Sequence, residues 1–158
     1  MIYQVNSPVD CTNVVVTLVA LLIFSFCVFK AFKTSKIVGW ITLMFVVSLS
    51  LFIYANVPGK ITVNQEEITL HNILFDRKIK RNEILEVRLL SKDDRTGMWR
   101  KFASGGLFGY CGIYASKKHP TLYVYASQAQ NWILITTANK KYVISPENTE
   151  IINILNKK

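Results

Sequence analysis

GGLFGYCGIY, residues 105–114, follows Gly97 so closely that five of the chain's seven glycines (97, 105, 106, 109 and 112) fall within sixteen residues. Read as a cradle for phosphate, the stretch belongs to a nucleotide-binding enzyme; read as a turn, it belongs to an all-β fold. A Walker-type loop needs Gly-x-x-x-x-Gly-Lys followed by Ser or Thr at a helix start, so that backbone N–H groups and a lysine converge on the phosphates. Here Gly106 and Gly109 lead instead into Tyr110, Cys111 and a strand. A dinucleotide fingerprint needs G-x-G-x-x-G between a strand and a helix, whereas this stretch spaces its glycines G-x-x-G-x-x-G among β-prone residues. Both signals fail. The glycines supply positive φ and close backbone approach where a long loop re-enters the fold, with Leu107, Phe108, Tyr110 and Tyr114 packed against its end or a membrane surface.

The flanks carry the same reading outward. Of the 158 residues 51% are hydrophobic and 18% charged, too apolar for an ordinary soluble domain of this length. The excess is at the N-terminus. After a tail of residues 1–10, Cys11–Phe29 and Ile37–Ala55 are two uncharged runs of nineteen residues. Each, as a helix rising about 1.5 Å per residue, covers the roughly 30 Å hydrocarbon core of a bilayer. Neither has the polar face a surface helix of a soluble protein would carry. The tail has no Lys or Arg to form a signal-peptide n-region and no small-x-small site follows Phe29, so the hairpin is expected to be retained.

Between the runs, residues 30–36 (KAFKTSK) form a basic loop with Lys30, Lys33 and Lys36. The positive-inside rule puts this loop in the cytoplasm and both termini, with everything after residue 55, on the extracytoplasmic side of the inner membrane. The alternative is a cytoplasmic domain, since residues 56–158 carry sixteen Lys and Arg against nine Asp and Glu, a net +7 that suits an anionic leaflet.

Beyond the turn signal Asn56-Val57-Pro58-Gly59 the hydrophobic period shortens to two. Strands are expected at 61–63, 68–71, 77–80, 84–91, 122–127, 132–138 and 141–145, a meander of about seven antiparallel strands. Ser145-Pro146-Glu147 then reads as an N-cap, a first-position proline and a first-turn acid. It would open a helix over 146–156 whose Ile151, Ile152, Ile154 and Leu155 share one face. Such a helix would plug the open end of a bent sheet.

Residues 59–158 resemble the bacterial pleckstrin-homology-like domains found in small membrane proteins. The resemblance rests on ITVNQEEITLHN (61–72), RNEILEVRLL (81–90), GLFGYCGIY (106–114) and WILITTANKKYVISPENTEIINIL (132–155). It implies a mainly-β, partly open barrel of about seven antiparallel strands behind the transmembrane α-hairpin, capped by the C-terminal helix. It implies no reaction and no cofactor, and no ligand residue carries over by position.

The residues themselves offer no catalytic constellation. His71 and His119 lack partners at metal-ligand spacing and read as surface residues, and Asp93-Asp94 and Glu66-Glu67 as solvated turn acids. Cys11, Cys27 and Cys111 encode no disulfide framework. What remains is positive charge and aromatic surface: a basic patch of Arg77, Lys78, Lys80 and Arg81, and a candidate ligand or membrane contact of Arg95, Trp99, Arg100, Lys101, Phe102, Phe108 and Tyr110. A concave pocket rimmed by Arg95, Arg100 and Lys101 would favour a lipid- or small-ligand-sensing module. A closed, aromatic-filled mouth would favour the expected function, a membrane-anchored, non-enzymatic binding or scaffolding module for protein partners or a second copy, to which the lipid- or ligand-sensing module is the alternative. Nucleic acid is not expected as a partner, because no base-stacking motif is present.

Overall fold

The computed structural model describes residues 3–8, 11–56, 59–72 and 76–156. Two long helices, α1 (Cys11–Thr34) and α2 (Lys36–Ala55), form the hairpin. Only Ser35 separates them, so the expected basic loop at 30–36 is helical on both sides of that residue. Lysine is a good helix former, and the Lys30 and Lys33 ammonium groups lie over the Phe26 and Phe29 rings at 5.5 and 4.9 Å, which keeps their stems on the helix surface. The chain reverses tightly because Gly39 leaves room for Phe32: a Cβ at 39 would sit 2.3 Å from the Phe32 ring, which stacks edge-on against Trp40.

Among the described residues most of the hairpin's apolar surface is uncovered. Only 6% of the most apolar stretch of either helix is buried, and Leu22 and Ile37 are each 72% exposed. At about 1.5 Å per residue the helices are roughly 36 and 30 Å long, enough to cross a bilayer.

The remainder is two sheets. The first has the order β1-β2-β3-β4, from β1 (Tyr3–Asn6), β2 (Lys60–Val63), β3 (Glu67–His71) and β4 (Arg77–Lys80), all antiparallel. The N-terminal tail is therefore in part a strand, with Tyr3 opposite Val63 and Asn6 opposite Lys60. Asp10 and the turn residues Val57 and Pro58 lie outside the described residues.

The second sheet is assembled from β5 (Ile84–Leu89), β6 (Trp99–Gly105), β7 (Tyr110–Ala115), β8 (Leu122–Ala126), β9 (Ile133–Thr137) and β10 (Lys141–Ile144), in the order β5-β9-β10-β8-β7-β6. Ten strands among the described residues replace the expected seven. The stretch expected as a long loop is the β6–β7 hairpin, whose turn is the glycine cluster. One neighbouring pair is parallel: β10 folds back on β9 through the Thr137–Lys140 turn and inserts beside β8, which runs in its own direction.

The central strands are buried on both faces. Ile133 and Ile135 face the core between the sheets with Ile61, Ile68, Leu70 and Ile79, while Trp132 and Leu134 face a second cluster with Leu90, Leu122 and Val124. The C-terminal helix α4 (Glu150–Asn156) closes the first core with Ile151 fully buried and Leu155 7% exposed. It begins at Glu150 rather than at 146. The Ser145 hydroxyl is turned inward, where it accepts the Ser127 N–H at 2.9 Å and so cannot cap a helix.

A short helix, α3 (Lys92–Arg95), joins β5 to β6 under a capping box formed by Ser91 and Asp94. Asp94 is 2% exposed and accepts from Arg88, Ser91 and His119. His119, expected at the surface, is 6% exposed, with Nδ1 3.1 Å from the Lys141 ammonium and Nε2 3.1 Å from Asp94. Sequence spacing hid this cluster, since its members come from β5, α3, the β7–β8 turn and β10.

Candidate functional site

The domain is fastened to the start of α1. Asn13, fully buried, donates its side-chain N–H to the Ser127 carbonyl at 2.6 Å. The Thr17 hydroxyl donates to the Asn13 carbonyl at 2.7 Å and accepts the Phe108 N–H at 2.9 Å. That amide points at the helix because Phe108 sits at φ 58°, between Gly106 (φ 95°) and Gly109 (φ 148°). A Cβ at Gly106 would meet Val16 at 3.1 Å. Beside it the Ser7 and Ser127 hydroxyls are 2.7 Å apart, and Ser7 donates to the Ser145 carbonyl. The glycine turn is thus a socket for the hairpin, and Phe108 completes it by packing edge-on against Tyr54 of α2 at 5.4 Å.

On the other side of that socket α2 stands away from the sheet and leaves a groove of about 760 Å³. One wall is Leu49, Phe52 and Ile53 of α2 with Asn56 just beyond its end; the opposite wall is the face of β6, β7 and β8 that carries Ile113, Tyr123 and Tyr125. Arg77, Arg100 and Lys101 border it, with no Asp or Glu in its lining. A bulge between Arg100 and Phe102 turns Lys101 out of the ladder. The Arg77 guanidinium lies 4.6 Å over the Tyr125 ring, and the Arg100 guanidinium folds across Gly105, where a Cβ would come within 2.6 Å of it. Cys111 donates its thiol hydrogen to the Asn56 carbonyl at 3.3 Å, joining sheet and helix at the groove floor; burial pushes that thiol up to about 11.

The sequence candidates separate accordingly. Arg100, Lys101 and Phe102 line the groove, and Trp99 is exposed on the same strand. Arg95 does not border it: its guanidinium lies 4.7 Å over Trp132 and donates to the Ala129 carbonyl on the other face of the sheet, where burial lowers its basicity. Tyr110 packs edge-on against the same Trp132. The basic patch is divided too. Arg77 turns to the groove, Lys78 pairs with Glu67 at 2.7 Å, Lys80 is exposed and Arg81 donates to the Ile154 carbonyl of α4. Strand alternation explains the division between 77 and 78. The α2 wall had no signal in the sequence, because residues that face a groove and residues that face lipid are apolar alike.

Among the described residues no group of three or more His, Cys, Asp or Glu side chains is arranged to hold a metal ion. Compared with known proteins, the chain matches the family model described as "Bacterial PH domain" over residues 59–158. No curated protein and no solved structure matches it.

Proposed function

The chain belongs to the bacterial PH domain family, and on that premise we propose that it is a membrane-anchored, non-enzymatic binding module. The hairpin inserts in the bilayer, and the PH-like domain is held with its grooved face toward the membrane surface. The observation that carries this reading is the uncovered apolar surface of α1 and α2 joined by buried hydrogen bonds to the glycine turn. Pairing of β1 with β2 adds support, since strands before and after the hairpin can meet only if both lie on one side of the membrane. Lys30, Lys33 and Lys36 at the far end orient that end to the cytoplasm and the domain outward.

The full chain should stay with membranes through alkaline carbonate extraction. A cysteine at Ser35 should resist a membrane-impermeant thiol reagent in whole cells, while one at Asn139 should react. Release by carbonate would remove the anchor, and the reverse labelling would place the domain inside.

A second reading, a scaffold for a protein partner, draws on the far edge of the larger sheet, where Leu85 and Leu89 of β5 are 71% and 50% exposed. Capture from membranes of a partner that Leu85→Lys abolishes would favour it.

A further inference from the structure

We infer that the outer edge of β6 docks another protein, whose extended segment of alternating apolar and acidic residues lies along residues 99–103 as a further strand of the larger sheet. This inference rests on the membrane-anchored binding-module reading above and gives that module a surface and a class of partner. Three observations converge on it.

The first is the edge itself. Strand β6 ends the six-stranded sheet, and among the described residues no strand pairs with its outer side. Its seven residues make roughly 20 Å of main chain. The opposite edge of the sheet is already engaged, since the Val87 and Leu89 carbonyls of β5 accept from the Asn156 and Arg88 side chains. On β6 the Ser104 carbonyl accepts from the Tyr114 hydroxyl at 2.6 Å, which leaves the length before it open. An unpaired edge recruits a strand because main-chain N–H and C=O groups find their partners there.

The second is how the side chains are sorted. Trp99 lies opposite Ala115 and Phe102 opposite Ile113, two residues apart on β7, so both aromatic rings share one side of the sheet and the bulge absorbs the extra residue. They are 61% and 78% exposed. Arg100, opposite Tyr114, lies on the other side, with its guanidinium over Gly105. A strand laid on β6 alternates in the same way, apolar side chains beside Trp99 and Phe102 and acidic ones beside Arg100.

The third is charge. Residues 95–146 hold seven Lys and Arg and no Asp or Glu, while the rest of 56–158 holds nine of each sign, so the domain's whole net charge belongs to β6–β10 and their turns. Among the described residues no Asp or Glu pairs with Arg100, Lys101 or Lys117. These three cations are spread along the edge. The Lys117 stem lies beside Gly97, Lys101 stands at the bulge and the Arg100 guanidinium reaches Gly105. A second copy on this edge would set the cations against their like, which is how basic edge strands avoid self-pairing. A lipid headgroup or a nucleic acid would answer the charge but has no amide ladder to offer. An acidic strand answers both.

The test uses the full chain in phosphatidylcholine bilayer discs and a fluorescent peptide, acetyl-Glu-Val-Asp-Ile-Glu-Val-Asp-amide, followed by anisotropy and by hydrogen exchange. The peptide should bind saturably, less tightly as salt rises, and should slow exchange at amides within residues 99–103. Two further peptides carry N-methyl groups on the apolar or on the acidic residues. Only one of them should lose binding, because alternate N–H groups of a strand face the same neighbour. Lys101→Glu should weaken binding about 10-fold, an exposed attraction having become a repulsion. Phe102→Asp should weaken it at least as much, and Lys80→Glu, exposed on β4, should leave it unchanged. Equal losses from Lys80→Glu and Lys101→Glu, or equal binding of the two methylated peptides, would overturn the inference. So would a parent chain that dimerises until Phe102 is replaced, which would give the edge to a second copy, or displacement of the peptide by phosphatidylglycerol added to the discs, which would give it to a membrane surface. A chain that stays out of the discs yet binds the peptide in detergent removes the anchor reading and leaves this one standing; entry without binding sinks this one alone.

Discussion

The two helices of the hairpin meet the same domain in opposite ways. Where α1 begins, contact is close and polar: Asn13 and Thr17 are buried, Asn13 bonded to Ser127 and Thr17 to Phe108 in the turn that Gly106 and Gly109 shape at positive φ. Where α2 ends, contact is sparse and apolar, with a thiol hydrogen bond at its floor and open space above. The first arrangement fixes orientation, because buried polar groups have one satisfied geometry. The second leaves room, because apolar walls impose no such register. The proposed membrane-anchored module would use the first to hold its domain and the second to leave one face open.

The largest effect should come from removing the body on which both contacts are built. Ile151 is fully buried between the sheets, so Ile151→Asp places an unpaired charge in the core and should cost about 4 kcal/mol. Thermal melting of the full chain in detergent checks this. An unchanged melt would mean α4 does not carry the core, and the rigid platform for either helix contact would be in question.

How much of this was legible in the sequence depended on whether a residue's role was local. The strands β2, β3, β9 and β10 show themselves through alternating β-branched residues, and Ile151 and Leu155 through helical spacing. Strand β6 does not, because its first four residues are exposed and the bulge at Lys101 breaks the period. Strand β1 is four residues long and exists by pairing with β2 across the whole hairpin, a contact no local pattern records. The glycine cluster was read as structural, and its partner was not: Phe108 and Gly106 meet Thr17 and Val16, nearly the length of the β-domain away in sequence. Of the cations expected at one rim, Arg100 and Lys101 are there, but Arg95 lies beyond the sheet and Arg77 has taken its place. Sequence gives charge without facing.

A smaller effect should come from the Asp94 cluster, which ties β5 and α3 to the β7–β8 turn. The Arg88 guanidinium, with Ser91 and His119, holds the Asp94 carboxyl well below the usual carboxylate range. A depressed folded-state pKa means the unfolded chain binds the proton more readily, so this stability is fully present above the ordinary carboxylate pKa of 3.8 and is lost as pH falls below it. Asp94→Ala should cost about 2 kcal/mol at neutral pH, the Arg88 partner being partly solvated, and should flatten the acid limb of the pH–stability curve. A variant with the same acid limb as the parent would assign that limb to other carboxylates. The difference between α1 and α2 contacts should survive this substitution.

The smallest effects separate the two contacts directly. Thr17→Val keeps the shape of α1 but removes the acceptor for the Phe108 N–H, and a partly buried amide left without a partner should cost about 1–2 kcal/mol. Phe52→Ala on α2 removes more atoms, yet Phe52 is 59% exposed and borders the open groove, so its cost in detergent should stay within about 0.5 kcal/mol. Hydrogen exchange at the Phe108 amide distinguishes the two beyond their melting points. Thr17→Val should speed exchange there, since the turn loses the bond that holds it to the helix; Phe52→Ala should leave it at the parent rate. If both variants accelerate it equally, the glycine turn is held by the hairpin as a whole rather than by α1, and the closed and open sides would have to be described as one loose interface.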